Sequence, residues 1–314
     1  MSGAPLDLVV VGDVDADVFL RVPRIPTAGE KIRGHALGSF PGGVAANVAV
    51  AARRLGLRSG VHGVIGDDQH GRLAWAALER EGVSLDGLVV DPEATTFFCV
   101  VQLDDTGDKA LTLADTGCLF PRSEQLDHAL LRSARHVHVA PFELAAATEA
   151  VASARRAGAT TSADLEPGSI RGGLDPLTPL LAELDVCFVN HHAAQELSPS
   201  GDPLDAIAAL HGRGPRCVVL TAGADGATVS VDGEVTAVPG VSADVVDTTG
   251  AGDAFCAAFL AERALGHDEI SAARAAVMAG ALACAAIGAQ TGAPTRAALT
   301  AALGAADASS GPTP

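Results

Sequence analysis

The run Asp247-Thr248-Thr249-Gly250-Ala251-Gly252-Asp253 places two glycines ahead of a stretch that reads as a helix, with Phe255 and Phe259 four apart and no breaker before Gly266. Glycines at a helix start let the main chain come close to a ligand, and the first amides of a helix lack intrahelical acceptors. Together with the helix dipole, such amides make an anion site. Asp253 closes the turn. A carboxylate there serves either as a favourable helix-start charge or as a base that takes a proton from an attacking hydroxyl.

A second set of carboxylates lies near the start of the chain. Asp13, Asp15 and Asp17 follow the first apolar run at spacing two, so an extended chain carries them on one face. Grouped like charges repel unless solvent or a ligand satisfies them. On residue types alone the group fits a solvated edge or the paired hydroxyls of a polyol, which carboxylates accept well. Phe40-Pro41-Gly42-Gly43-Val44-Ala45-Ala46-Asn47 reads as a loop into a helix, and Gly66-Asp67-Asp68 with Gly71 as a turn and helix start. Asn190 ends an apolar run and leads into His191-His192-Ala193-Ala194-Gln195-Glu196. The two adjacent histidines would diverge on a helix and do not make a metal pair. Thr221-Ala222-Gly223-Ala224-Asp225-Gly226 follows a buried strand as a glycine turn. Neither GxxxxGK[ST] nor GxGxxG occurs, so P-loop and dinucleotide readings lack their motifs.

The elements that must position these residues alternate. Strands are predicted over 6–11, 59–65, 137–140, 160–164, 186–190 and 217–221. Helices are predicted over 45–55, 72–81, 144–156, 204–211 and 251–265. Continuous apolar strands alternating with helices predict an α/β fold, with a mostly parallel central sheet covered on both faces. Residues 18–40 and 95–113 have no helix and predict a small separate antiparallel sheet. Residues 305–314 are small, polar and Pro-containing, which predicts a disordered tail.

The 314 residues are 48% hydrophobic but only 3% aromatic, so small-residue packing of helices on a sheet is expected. A formal charge of -17, with Lys31 and Lys109 the two lysines, argues against nucleic acid and against an anionic membrane. A nest of backbone amides can still hold phosphate in an acidic protein. Six scattered cysteines without a CxxC pair predict buried free thiols rather than a zinc site. The first apolar run has no basic flank or cleavage site, and the apolar stretch near 275–287 is too short to span a bilayer; both predict a cytoplasmic protein.

The heptad DTTGAGD followed by Ala254 and Phe255 resembles the C-terminal signature of the ribokinase (PfkB) carbohydrate-kinase family, and the other motifs follow in that family's order from residue 6 to about 303. The resemblance implies a ribokinase-like kinase domain over 1–304, with a β-lid from about 13–41 and 94–116. It implies transfer of the γ-phosphoryl group of ATP to a sugar hydroxymethyl group, with Mg2+ on the phosphates. Asp253 would be the general base, with the amides of Gly250, Ala251, Gly252 and Asp253 on the transferred group. Asp17 and Asp15, the backbone at Gly42 and Gly43, and Asn47 would hold the sugar. Asn190, Thr221, Gly223 and Gly226 would meet the nucleotide. Asp247 and Thr249 would hold a monovalent cation such as K+, with the segment Gly288-Ala289-Gln290 on its other side. Lids of such relatives often pair in a homodimer.

The chain departs from the pattern at three places. Asp15 stands where ribokinase proper has Asn, Val44 where it has Lys, and Ala193 where the family has a Glu near Mg2+; Glu196, one turn on, is the nearest replacement. A pentose or ketohexose kinase is the first reading. A nucleoside kinase, its base held by Phe19, Phe40, Phe97 and Phe98, is the second, and a non-catalytic regulator that binds sugar or nucleotide the third.

Overall fold

The first apolar run is β1 (Leu8–Val11), in which all four side chains are buried. It lies between β4 (Ser59–Gly66) and β8 (His136–Val139), parallel to both. β5 (Ser84–Asp91) extends the sheet beyond β4, while β9 (Thr160–Leu165), β10 (Val186–Asn190) and β11 (Cys217–Thr221) extend it beyond β8, all in parallel. An antiparallel hairpin, β12 (Gly226–Val231) and β13 (Glu234–Pro239), closes that edge, giving nine strands in the order β13-β12-β11-β10-β9-β8-β1-β4-β5. This computed structural model describes residues 5–106, 109–198 and 200–309.

Period-two alternation divides the apolar strands between two cores. Leu8 and Val10 pack with helices α1 (Val44–Arg54), α8 (Ala251–Ala264) and α9 (Glu269–Ala283). Val9 and Val11 pack on the opposite face with α4 (Leu144–Arg156), α5 (Leu174–Leu181), α6 (His191–Leu197) and α7 (Pro203–His211). Burial on both faces is why these strands read as continuous apolar runs. The helices bring mainly Ala to both cores, as the composition predicts. All six cysteines are buried and free. Among the described residues no helix is long and apolar enough to cross a membrane.

A second sheet is made of β3 (His35–Gly42), β2 (Asp15–Val22), β6 (Phe98–Asp104) and β7 (Lys109–Ala114), in that order. It is mixed rather than antiparallel, because β2 and β6 run parallel. The reason is topological: β2 leaves the carboxyl end of β1, and β6 leaves that of the parallel strand β5. The two outgoing strands therefore share one direction, and each returns by its own hairpin. Phe19, Cys99 and Val101 form its core, with the Phe19 and Phe40 rings edge-to-face at 5.3 Å.

Helix starts differ from expectation where a cap was overlooked. α2 (Gln69–Glu81) begins three residues early because the Asp68 side chain accepts from the Gly71 amide. The tail expected to be disordered from residue 305 is instead helical to the end of α10 (Arg296–Ser309). Ala305, Ala306 and Ala308 are strong helix formers that simply continue the preceding turns. Residues 310–314 lie outside the described residues.

Candidate active site

The sheet changes direction at β1. The chain builds outward to β5, then returns to β8 on the other side of β1. In open α/β sheets the crevice at such a switch point, beyond the carboxyl ends of the strands, is where ligands bind. The candidate residues gather along this edge.

α8 enters the crevice from above. Phe255 and Phe259, four residues apart, both meet the fully buried Phe188 of β10 edge-to-face, at 6.4 and 5.3 Å. Each such pair adds about 1 kcal/mol beyond its buried area, which fixes the register of the helix on the sheet. Gly250 caps the helix at φ 80°, and a Cβ there would lie 2.5 Å from the Ala289 carbonyl, so the turn requires glycine. The Ala251 amide turns back to the Thr248 carbonyl at 3.2 Å, so it is not a free donor as expected. Among the described residues the amides of Gly250, Gly252 and Asp253 take no acceptor. A Cβ on Gly252 would meet nothing within 4 Å, which leaves open space before these donors.

Asp253 is buried in the first turn of α8. The Asn47 side-chain amide donates to its Oδ2 at 2.8 Å, and the Gln290 amide donates to Asn47 Oδ1 at 3.1 Å. Asn47, expected on the sugar, therefore has both amide atoms engaged in orienting Asp253. Burial, followed by repulsion from Glu166, holds the Asp253 carboxyl well above the usual carboxylate range, while the Asn47 bond opposes that shift. A base so raised is better matched to protons near neutral pH.

The three aspartates after β1 divide into two roles. Asp13 accepts from the Val44 and Ala45 amides, at 2.9 and 3.3 Å, and so caps α1. Asp15 and Asp17 share one face of β2. A Cβ on Gly42 would lie 2.4 Å from Asp15 Oδ1 and 2.8 Å from Asp17 Oδ2, so glycine lets these carboxylates stand against the main chain of β3. Asp15 Oδ1 is buried without a hydrogen-bond partner. Burial and then Asp13 push its carboxyl well above the ordinary range. Asp17 is pushed up to about 6 by burial, with the Lys109 ammonium opposing. A buried Asp15 oxygen without a donor, beside the half-buried Asp17 carboxylate, calls for a ligand rich in hydroxyls.

Asp164 and Glu166 join this cluster from the end of β9, and sequence reasoning missed them. The signal was present: carboxylates at spacing two, followed by Pro167-Gly168, at the end of a predicted parallel strand. The Cys256 thiol of α8 reaches Asp164 Oδ2 at 3.7 Å. Burial pushes Asp164 up to about 6, and burial with Asp164 and Asp13 pushes Glu166 up to about 8. Neither has a cation to compensate it in these interactions. Two uncompensated carboxylates suit a divalent cation that arrives on phosphates and keeps most of its water. Among the described residues no three metal-type side chains converge. Glu196, by contrast, is exposed on α6 and takes no part in the cluster, and Ala193 is wholly buried in the apolar core.

The raised Glu166 gives a stability prediction. Below its ordinary value near 4.5 the group is protonated folded and unfolded, and it costs nothing. As pH rises toward about 8 the unfolded chain ionises while the folded one resists, so stability falls. At about 1.4 kcal/mol per unit the full cost is on the order of a few kcal/mol. Glu166→Gln removes that cost: in the ligand-free protein its thermal midpoint exceeds wild type by several degrees above pH 8 and matches it below pH 4.5. Equal midpoints across that range would contradict the placement of Glu166.

Where a nucleotide was expected, Asn190 pairs in register with Thr221. Asn190 caps α6 by accepting from the Ala193 amide at 2.9 Å. Gly223, at φ 56°, opens a short 3-10 turn with free space around it, whereas Gly226 is packed tightly, a Cβ there lying 2.2 Å from the Val238 carbonyl. Gly226 thus has a structural role in the turn.

Asp247 organises the loop before α8. Its Oδ1 accepts from the Thr249 amide and hydroxyl, at 3.0 and 2.7 Å, and its Oδ2 from the Gly288 amide at 2.9 Å. Burial works against its charge, but these bonds and the Lys109 ammonium together keep it below the usual carboxylate range.

Comparison with known proteins bears on this geometry. A family model described as pfkB family carbohydrate kinase matches residues 6–296. The chain is 35% identical over 255 residues to the ATP-dependent ribose-1-phosphate kinase of Halopiger xanaduensis, covering 80% of this chain and 82% of that protein. It matches the structure of Arabidopsis thaliana ribokinase complexed with ribose and ATP with a TM-score of 0.83 and 26% identity, covering 96% of this chain and 99% of that one. It matches a putative ribokinase II of E. coli in complex with ATP and Mg2+ with a TM-score of 0.83 and 25% identity, covering 96% and 99%.

Proposed function

The chain belongs to the pfkB family of carbohydrate kinases, and from that premise we propose that it transfers the γ-phosphoryl group of ATP to a hydroxymethyl oxygen of a pentose or ketohexose. The observation that carries this reading is Asp253, a buried and raised carboxylate held by Asn47 at the mouth of three free amides. Asp15 and Asp17 bind the sugar hydroxyls and turn the hydroxymethyl group toward Asp253. Asp253 takes the hydroxyl proton as the oxygen forms its bond to phosphorus and the bond to the ADP oxygen breaks. The amides of Gly250, Gly252 and Asp253 face the charge on the transferred group. Mg2+ bound with ATP neutralises phosphate charge, and Asp164 and Glu166 are the side chains that would face it. Asn190, Thr221 and Gly223 line the phosphate side. The exposed Val245, Val246 and Ile287 beside Asp247 and Gly288 offer an apolar surface for the base.

A nucleoside acceptor is the second reading. Phe40 stands opposite Asp17 in register and meets the Phe19 ring, which supplies an aromatic wall beside the sugar carboxylates. A catalytically silent role sits poorly with an intact Asp253 supported by Asn47 and Gln290.

The test is ADP release from MgATP across pentoses, their phosphates, ketohexoses, sugar acids and nucleosides. A pentose or ketohexose is expected to give the highest kcat/KM, with the phosphate found on its hydroxymethyl oxygen. A nucleoside at the top would replace the first reading by the second, and no turnover with any acceptor would overturn both.

A further inference from the structure

Lys109 opens β7 in the small sheet, opposite Leu103 of β6, yet its ammonium leaves that sheet. It ends against the turn before α8, 2.5 Å from Thr249 Oγ1 and 3.6 Å from Asp247 Oδ1. The Thr249 hydroxyl accepts from the ammonium and donates to Asp247 Oδ1, so the contacts form a chain. Three remote segments thus meet on one carboxylate: β7, the 247–249 turn and the Gly288 loop after α9. The positive charge among them comes from the small sheet. Phe40 of β3 adds a second contact between the small sheet and this loop, since a Cβ on Gly288 would lie 3.6 Å from the Phe40 ring.

These contacts do not fit a diffusible cation on Asp247 and Thr249. Asp247 is nearly buried, with its side chain 8% exposed, and its oxygens are already shared among two amides, a hydroxyl and an ammonium. A monovalent metal ion would have to sit beside the Lys109 charge and compete for the same acceptors.

We propose that Lys109 is a positioning residue that supplies the cation for this turn from within the chain. Its ammonium neutralises Asp247 and fixes Thr249, and so sets the Gly250 cap and the free amides that follow it. Because the charge rides on the small sheet, the anion-holding turn is complete only while that sheet is seated on it. The sugar carboxylates Asp15 and Asp17 stand on the same sheet. Acceptor binding and phosphate binding are therefore mechanically connected through Lys109, a connection that rests on the kinase reading. The cation substitution itself does not depend on that reading.

The test uses the ligand-free full chain and one probe, the Mg2+ complex of the non-hydrolysable ATP analogue AMP-PNP, in buffers whose counter-cation is tetramethylammonium. Wild type is expected to bind the probe equally with and without KCl. Lys109→Met is expected to bind it roughly tenfold more weakly, the scale of one charge-assisted hydrogen bond, and to recover most of that loss on addition of KCl or NH4Cl. Lys109→Arg is expected to stay close to wild type. In Lys109→Met without K+, amide hydrogen exchange of the segment 245–253 is expected to quicken and then slow when K+ is added. A lysine that merely packed the sheet would not be replaced by a soluble cation. A wild type that needs K+ to bind the probe would overturn the proposal, and so would a Lys109→Met protein whose 245–253 segment exchanges as in wild type. Neither readout requires turnover, so a failed acceptor panel and a failed Lys109 proposal are separable.

Discussion

Asp253→Asn is expected to lower turnover by about a thousandfold, within the range that a positioned general base contributes, while acceptor and nucleotide affinities stay within a few-fold of wild type. Asparagine keeps the shape of the side chain and can still meet Asn47, but it cannot take a proton. The α8 amides and the acceptor carboxylates remain, so the variant keeps the residual acceleration of an oriented, electrostatically assisted site. The same substitution relieves repulsion. Asp253 is held above its ordinary range by burial, then by Glu166 and, beyond the opposing Asn47 bond, by Asp164 and Asp13, so its ionised form is a cost to the folded state at neutral pH. The variant should accordingly melt higher than wild type at pH 8, a loss of function joined to a gain in stability. Relative to wild type, the acid limb of kcat/KM should move to lower pH in Glu166→Gln, because Glu166 is the largest charge contribution, after burial, that raises Asp253. Initial rates from pH 5 to 9 with thermal melts check both expectations. A variant that turned over at more than a tenth of the wild-type rate would remove Asp253 from the base position.

The second large effect is expected at Asp17. Asp17→Asn should raise the acceptor KM by about a hundredfold or more, change kcat far less, and leave AMP-PNP binding unaltered. The magnitude follows from the design of the pocket, because sites built to hydrogen-bond hydroxyls lose much when a partner is mismatched. Asp17 stands against the Gly42 main chain, and its neighbour Asp15 has a buried oxygen with no partner. An amide at 17 keeps one acceptor oxygen but replaces the other by an uncharged donor, so the charge-assisted bonds to paired hydroxyls are lost. pH separates this role from a loss of packing. With its carboxyl pushed up to about 6, Asp17 loses its charge as pH falls through that value, so acceptor affinity should weaken below about pH 6 in wild type. It should be nearly flat over that range in Asp17→Asn. Isothermal titration at pH 5.5 and 7.5 measures this, and equal slopes in the two proteins would contradict the assignment.

Periodicity and composition carried the fold far. Continuous apolar runs such as Leu8-Val9-Val10-Val11 are readable because burial on both faces removes polar residues from both sides of a strand. The direction of β2 against β6 was not readable, since parallel pairing of outgoing strands depends on which strands of the large sheet they leave. Helicity beyond residue 305 was hidden by small polar residues that resemble a loose tail but do not break a helix. In the site, glycines and Asp253 could be read because the main chain demands them locally: Gly250 needs its positive φ, and the helix start needs its free amides. Contacts across long sequence separations could not. Asn47 is 206 residues from Asp253, and Lys109 is 140 from Thr249, so no local pattern joins them. Asp13, grouped with Asp15 and Asp17 by spacing, proved to cap α1 because β2 begins only at Asp15. Ala193 is buried in the apolar core, and the buried carboxylate of this region, Glu166, could not be read from the 190–196 segment because it lies beyond the Leu165–Val189 pair at the end of the neighbouring strand.

In the proposed mechanism Asp253 removes the acceptor proton beneath the α8 amides. Its most direct test is the rate of phosphoryl transfer in a single turnover, with acceptor and MgATP already bound, in wild type and Asp253→Asn. The chemical step is expected to slow about a thousandfold while the dissociation constants of acceptor and AMP-PNP stay in place. A chemical step within tenfold of wild type, or a loss that tracks weakened binding, would contradict it.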